Sequence, residues 1–190
     1  MESIGSTEMI YQLSEEYYVR TLRDGDIDGP YPKWFEDQDV SRYNSHGKFF
    51  KTEDVFRNFI KSSNSESRIV WAICHKNDGH IGNISLDKIS FINRNADYVV
   101  IIGNKAHWKK GVAFIASQII IRHGFNKLNL KRIWCSTAGL NLPMQALAKK
   151  LGMIQEGRRR SQFYFEGKWD DMVEYGLLKE ECSFLETNMK

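Results

Sequence analysis

The stretch from Asp97 to Phe125 constrains this chain most, because its hydrophobic period changes part-way along. Asp97 to Ile102 is a short apolar run closed by Gly103 and Asn104, and it predicts a strand. After a brief loop, Val112, Ile115, Ala116, Ile119, Ile120 and His123 recur at i, i+3, i+4 spacing and predict a helix ending near Gly124 to Asn126. A glycine-bearing turn that opens a helix can hold phosphate, because unpaired N–H groups leave the first turn along the positive end of the helix dipole. Gly111 would let backbone approach a ligand, Ala113 keeps the next position small, and Lys109 and Lys110 add charge. Turn and lysines alone favour a solvated surface loop.

The wider pattern decides between these readings. Trp108-x-x-Gly111-x-Ala113 resembles the pyrophosphate loop of the GNAT superfamily of acyl-CoA N-acyltransferases, written Arg/Gln-x-x-Gly-x-Gly/Ala. The leading tryptophan is similar to the branch holding the ribosomal-protein alanine N-acetyltransferases and many small-amine and amino-sugar acetyltransferases. Lys109 departs from that branch, where glycine is usual. The likeness continues through Trp34 to Val40, Ile81 to Leu86, Asn141, Lys150 to Met153, Glu156-Gly157-Arg158 and Gly167-x-x-x-Asp171, and spans roughly Tyr18 to Leu178. Met144 and Met153 stand where a small residue and a phenylalanine are usual.

The chain read in order agrees with such a fold. A loose N-terminal extension (1–14) precedes a strand at Glu16 to Arg23. A loop-rich aromatic segment, Asp28 to Phe50, leads to a helix at Thr52 to Ile60. Arg68 to Cys74 and His80 to Leu86 form a hairpin through Asp78-Gly79, followed by the strand at Asp97 and its helix. A strand at Leu130 to Thr137 precedes a helix capped by Asn141 with Pro143 in its first turn. Two more strands, Met153 to Phe165 and Val173 to Leu178, and a polar tail (180–190) close the chain. The expectation is one α/β domain over 15–179, a seven-stranded mixed, mostly antiparallel sheet with flanking helices and splayed central strands.

Composition narrows the function. The 190 residues carry a net charge of only +3, too little to indicate nucleic acid without a dense patch. Three scattered cysteines without a CxxC pair give neither a disulfide framework nor a zinc site. Cys74-His75 with His80 is too small a set for a closed metal site. No signal peptide or membrane-length apolar run is present, so a cytoplasmic monomer or homodimer is expected.

The resemblance implies transfer of acetyl from acetyl-CoA to a primary amine, without a metal. By that likeness, backbone of Val100, Ile101 and Ile102 holds the pantetheine and thioester. Backbone of Trp108, Lys109, Lys110, Gly111, Val112 and Ala113 holds the pyrophosphate, and Asn141, otherwise a helix cap, contacts the cofactor arm. Asp97 stands fourteen positions before Gly111, where several relatives carry a base glutamate, and is the catalytic candidate; a strand-edge carboxylate is the alternative. Glu36 and His46 are outsiders for that role. The usual tyrosine acid is replaced by Ala148, leaving Tyr164, Ser136 or water, and no base stands near Cys135 to make it a nucleophile. For the acceptor, Tyr43, Asn44, His46 and Tyr164 suggest a free or nucleotide-linked amino sugar of surface-polysaccharide synthesis. A protein N-terminus is the alternative, and a polyamine is a third acceptor, kept open by Glu36, Asp37 and Asp39. A non-catalytic acyl-CoA sensor is the reading from another class.

Overall fold

The computed structural model describes residues 10–44, 48 and 52–186. Nine strands form one sheet: β1 (Ile10–Gln12), β2 (Tyr17–Thr21), β3 (Asn64–Ser65), β4 (Arg68–His75), β5 (Gly79–Ser90), β6 (Asn95–Ile102), β7 (Arg132–Ala138), β8 (Ile154–Phe165) and β9 (Lys168–Leu178). Their order is β1-β2-β4-β5-β6-β7-β9-β8, with β3 beside β4. Every pairing is antiparallel except β6 with β7. Four α-helices accompany the strands: α1 (Gln38–Ser41), α2 (Glu53–Lys61), α3 (Val112–Asn126) and α4 (Leu142–Lys150).

The sheet has two more strands than expected. Asn64–Ser65 adds two residues to the edge of β4. Ile10–Gln12, expected within a loose extension, pairs with β2 because Tyr11 has somewhere to go. Its ring lies 5.2 Å from that of Trp71, and its hydroxyl lies 3.2 Å from His123 Nδ1. The polar tail also holds more structure than its charge suggests. Lys179–Glu181 is a 3-10 turn, after which Cys182 and Phe184 are buried in the main core.

The two faces of the sheet are covered differently. Ile84, Leu86, Tyr98, Ile133, Cys135 and Tyr175 join Val112, Ile120, Phe125, Ala148 and Leu151 of α3 and α4 in one large core. On the other face, Val70, Ala72 and Cys74 of β4 meet Ile27, Tyr31, Trp34, Phe56 and Ile60. Trp34 and Tyr31 thus pack rather than bind, as aromatics over a sheet are expected to. Within this smaller core the Arg20 guanidinium makes two hydrogen bonds to Asp26, at 2.9 and 2.6 Å. Among the described residues this second core is built on β4 and includes no residue of β6, β7 or β9. No helix among the described residues is long and apolar enough to cross a membrane.

Candidate functional site

The parallel ladder between β6 and β7 joins only Asn95 to Arg132, Ala96 to Ile133 and Asp97 to Trp134. Beyond Asp97 the strands fork. From Tyr98 to Ile102, β6 bonds to β5 on one side and leaves its other edge facing the gap. Trp108 Nε1 donates to the Ile102 carbonyl at 2.8 Å, fastening the following loop to the strand end. The fork accounts for an edge that would otherwise be a liability in mid-sheet.

The turn at the mouth of the fork opens α3. Its N-cap, Gly111, has φ 79°, a left-handed conformation that glycine adopts without penalty. A Cβ there would meet nothing within 4 Å, so this glycine serves backbone direction rather than space. Lys109 is also left-handed at φ 61°. No side chain caps the helix and its first turn carries no acid. The leading amides of α3 therefore point outward beside Lys109 and Lys110, an arrangement suited to a phosphate. Asn141 differs: its Oδ1 accepts from Met144 N–H at 3.3 Å and its Nδ2 donates to Thr137 Oγ1 at 2.9 Å. It is engaged as a cap within the protein.

Strand register fixes what shares the face opposite α3, because residues directly paired across strands point the same way. Asp87 pairs with Asp97, Ser85 with Val99, Asp97 with Trp134, and Ser136 with Glu174. Asp97 is 9% exposed, and its Oδ2 accepts from Lys88 Nζ at 2.8 Å. Burial pushes its carboxyl up; the Lys88 ammonium pulls it back down, while Asp87 adds to the rise. Lys88, at φ 51° in a β5 bulge between Asp87 and Ser90, reaches over the strand pair and also lies 5.1 Å from the Trp134 ring. Lys88 and Trp134 were not legible as site residues. The one sequence signal was the broken alternation at Asp87-Lys88-Ile89.

Several other carboxylates on and around this face have a cation. Asp87 pairs with Arg68, Glu174 with Arg159 at 2.9 Å, and Glu156 with Arg132. Asp37 and Asp39, expected to form an acidic mouth, share Lys105 at 2.8 and 3.1 Å, and Asp37 also caps α1. A cleft of about 290 Å3 beside the base of the fork is walled by Asn95, Arg132, Trp134, Glu156, Glu174 and Tyr175.

The other expected substrate residues lie toward the β8–β9 tip. Tyr43 packs its ring 5.7 Å from Phe165, with the Arg42 guanidinium 5.2 Å from the same ring. Tyr164 is paired with Trp169 near the turn, whereas Trp134 pairs with Gly176 much further along β9. Tyr164 therefore belongs to the rim of the mouth, and Asp97 to the base of the fork. Asn44 is half-buried, and His46 falls outside the described residues. Ser136 shares the Asp97 face; Ala148 is fully buried and supplies no acid. Burial pushes the Cys135 thiol up to about 12, with Asp97 adding to the rise, so it stays protonated.

A family model described as an acetyltransferase (GNAT) domain matches residues 17–154. The chain belongs to the GNAT acetyltransferase family. The uncharacterized N-acetyltransferase YnaD of Bacillus subtilis is 29% identical over 150 residues, covering 78% of this chain and 86% of that protein. The spermidine N(1)-acetyltransferase of Vibrio cholerae is 28% identical over 148 residues, covering 78% and 79%. Among solved structures, RimL, the ribosomal L7/L12 alpha-N-protein acetyltransferase in complex with coenzyme A, superposes with a TM-score of 0.80 at 14% identity. That match covers 90% of this chain and 98% of RimL. The GNAT fold and an acetyl-CoA-dependent N-acetyltransferase activity follow from membership.

Proposed function

We propose that this GNAT protein acetylates a primary amine presented as a single ammonium, first among these the α-amine of a peptide. Asp97 takes the proton. The observation that carries the reading is the placement of Asp97, buried at the last paired position of the fork on the face of the sheet opposite α3.

Acetyl-CoA supplies an activated thioester, and the chain's own groups do the rest. Amides from Trp108 to Ala113, with Lys109 and Lys110, receive the pyrophosphate. The free edge of Val100 and Ile101 receives the pantetheine as an added strand. The Ile102 carbonyl, already bonded to Trp108, steadies that edge. Attack needs a neutral amine, and an alkylamine of pKa ~10 is roughly a thousandth neutral at pH 7. Asp97 accepts the surplus proton, directly or through water, and its raised pKa makes it a better base than an ordinary aspartate. Ser136 or water protonates the departing thiolate.

The charge pattern selects the acceptor. A polycation needs several uncompensated carboxylates, and here Asp87, Asp97, Glu156 and Glu174 each have a cation while Asp37 and Asp39 share Lys105. A peptide α-amine brings one charge and has a pKa near 8, so it asks less of the base. Spermidine is the second reading, favoured by the relative from Vibrio cholerae. The amino-sugar acceptor drew on Tyr43, Asn44 and His46; Tyr43 is turned onto Phe165, and the relatives named above offer no parallel for it.

Thiol release from acetyl-CoA should be followed with alanine- and serine-starting peptides, spermidine, spermine and nucleotide-linked amino sugars. Peptides should give the highest kcat/KM; a preference for spermidine would overturn the choice of acceptor. Lys88→Met adds a test of the base. Removing the ammonium lets the Asp97 pKa rise further, so the acid limb of the kcat/KM profile should move to higher pH. An unmoved limb would make the pair structural only.

A further inference from the structure

We propose that His75, Asp78 and His107 form a binding site for one divalent transition-metal ion, zinc or cobalt in type. The site is separate from the acetyl-transfer chemistry. His75 and Asp78 stand three residues apart at the end of β4 and in the β4–β5 turn, and His107 comes from the 3-10 turn Lys105–His107. One oxygen of Asp78, Oδ2, lies 2.9 Å from His75 Nδ1 and 3.0 Å from His107 Nε2. All three ligand atoms lie within 4.8 Å of one another. With metal–ligand bonds of about 2.1 Å, neighbouring ligand atoms stand about 3.0–3.4 Å apart, so the two histidine nitrogens would draw together by up to about 1.5 Å around an ion.

Both imidazoles converge on Asp78 Oδ2. Asp78 N–H donates a long bond to His75 Nδ1 at 3.3 Å, which an ion bound at that nitrogen would replace. That nitrogen also lies 2.9 Å from Asp78 Oδ2, a pair that either a ring proton or a metal ion can bridge. His107 is oriented from behind: its Nδ1 lies 2.9 Å from the Tyr17 hydroxyl. When Nδ1–H donates to that oxygen, Nε2 turns its own lone pair to the shared oxygen. This outer contact is the kind that fixes a metal-binding tautomer.

The donor set also selects the ion. Two imidazoles and one carboxylate suit zinc, cobalt, nickel or copper rather than the all-oxygen environments of magnesium and calcium. His75 and His107 are 8% and 2% exposed, while the Asp78 side chain is 48% exposed, which leaves water access for the remaining positions. Cys74, beside His75, is buried in the smaller core on the other side of its strand, so no thiolate joins. His107 directly precedes Trp108. A bound ion would therefore tie the β4–β5 turn to the loop that leads into the proposed phosphate-binding turn.

The test uses the full chain without an affinity tag, stripped of metal and titrated with Zn2+ by calorimetry and with Co2+ by visible absorption. One equivalent per chain should bind, with d–d bands and no thiolate charge-transfer band. Asp78→Asn, which preserves turn chemistry, and His107→Gln should each weaken binding at least tenfold. Tyr17→Phe should weaken it about tenfold while circular dichroism stays unchanged. Absence of saturable binding, unchanged affinity in Asp78→Asn and His107→Gln, or a thiolate band would overturn the site. None of these readouts uses acetyl transfer, so this site and the peptide-acetylating activity stand or fall separately.

Discussion

Asp97→Asn should lower kcat/KM at pH 7 by about 10²- to 10⁴-fold, the range for loss of a positioned general base. The asparagine is nearly isosteric and keeps an oxygen for Lys88, so the fork and the α3 turn should persist and acetyl-CoA should bind as in the wild type. What disappears is the proton acceptor. The variant then depends on amine that is already neutral, and its deficit should shrink as pH rises toward the acceptor's own pKa. Steady-state rates from pH 6 to 10, with acetyl-CoA affinity measured separately, check both parts. A loss below threefold at pH 7 would return Asp97 to the role of an ion-pair partner. The acid limb of the wild type belongs to the same argument. Burial raises the Asp97 carboxyl above its ordinary value, so activity should begin to fail at a higher pH than a solvated aspartate would give.

The second large effect concerns stability. Asp26→Asn should cost about 3–5 kcal/mol, because it leaves Arg20 charged and poorly compensated in the smaller core. Both side chains are under 10% exposed, and the carboxylate also accepts from Arg23 N–H at 2.8 Å and is approached by His80 Nδ1 at 3.4 Å. For a chain of this size the loss corresponds to a Tm lower by about 6–20 °C. Burial alone would raise the Asp26 carboxyl, but Arg20, His80 and the Arg23 amide hold it well below the usual carboxylate range. A folded-state pKa below the unfolded one gives a contribution fully present above about pH 4 and lost as pH falls further. Wild-type stability should therefore decline below pH 4, and the decline should be shallower in Asp26→Asn. A Tm shift under 2 °C would show that the pair is replaceable.

The same pair sets where the aromatic segment packs. Asp26, Arg20 and His80 anchor the turn between β2 and the aromatic segment, so Tyr31 and Trp34 pack over β4 and β5. Gly103 has no room for a Cβ because the Trp34 ring lies against it. Trp34 thus sits against the end of β6 at the mouth of the fork.

Period and punctuation were enough to read most elements from the amino-acid sequence. The apolar run closed by Gly103, the 3.6-residue repeat after Gly111, the Asp78-Gly79 hairpin and the Asn141 cap each leave a local mark, because backbone conformation answers to nearby residues. The phosphate-type turn was legible for the same reason: its donors are consecutive amides. Side-chain partnership across strands was not. That Asp97 meets Lys88 depends on a bulge in β5, and that Asp37 and Asp39 share Lys105 depends on a loop crossing. Cys182 and Phe184 read as tail because nothing local shows the core they enter. His107 joins His75 and Asp78 only once β4, β5 and the loop after β6 are assembled. Local sequence determined where the chain bends and pairs; register, bulges and packing decided which charges meet, because those contacts join residues that no short-range pattern links.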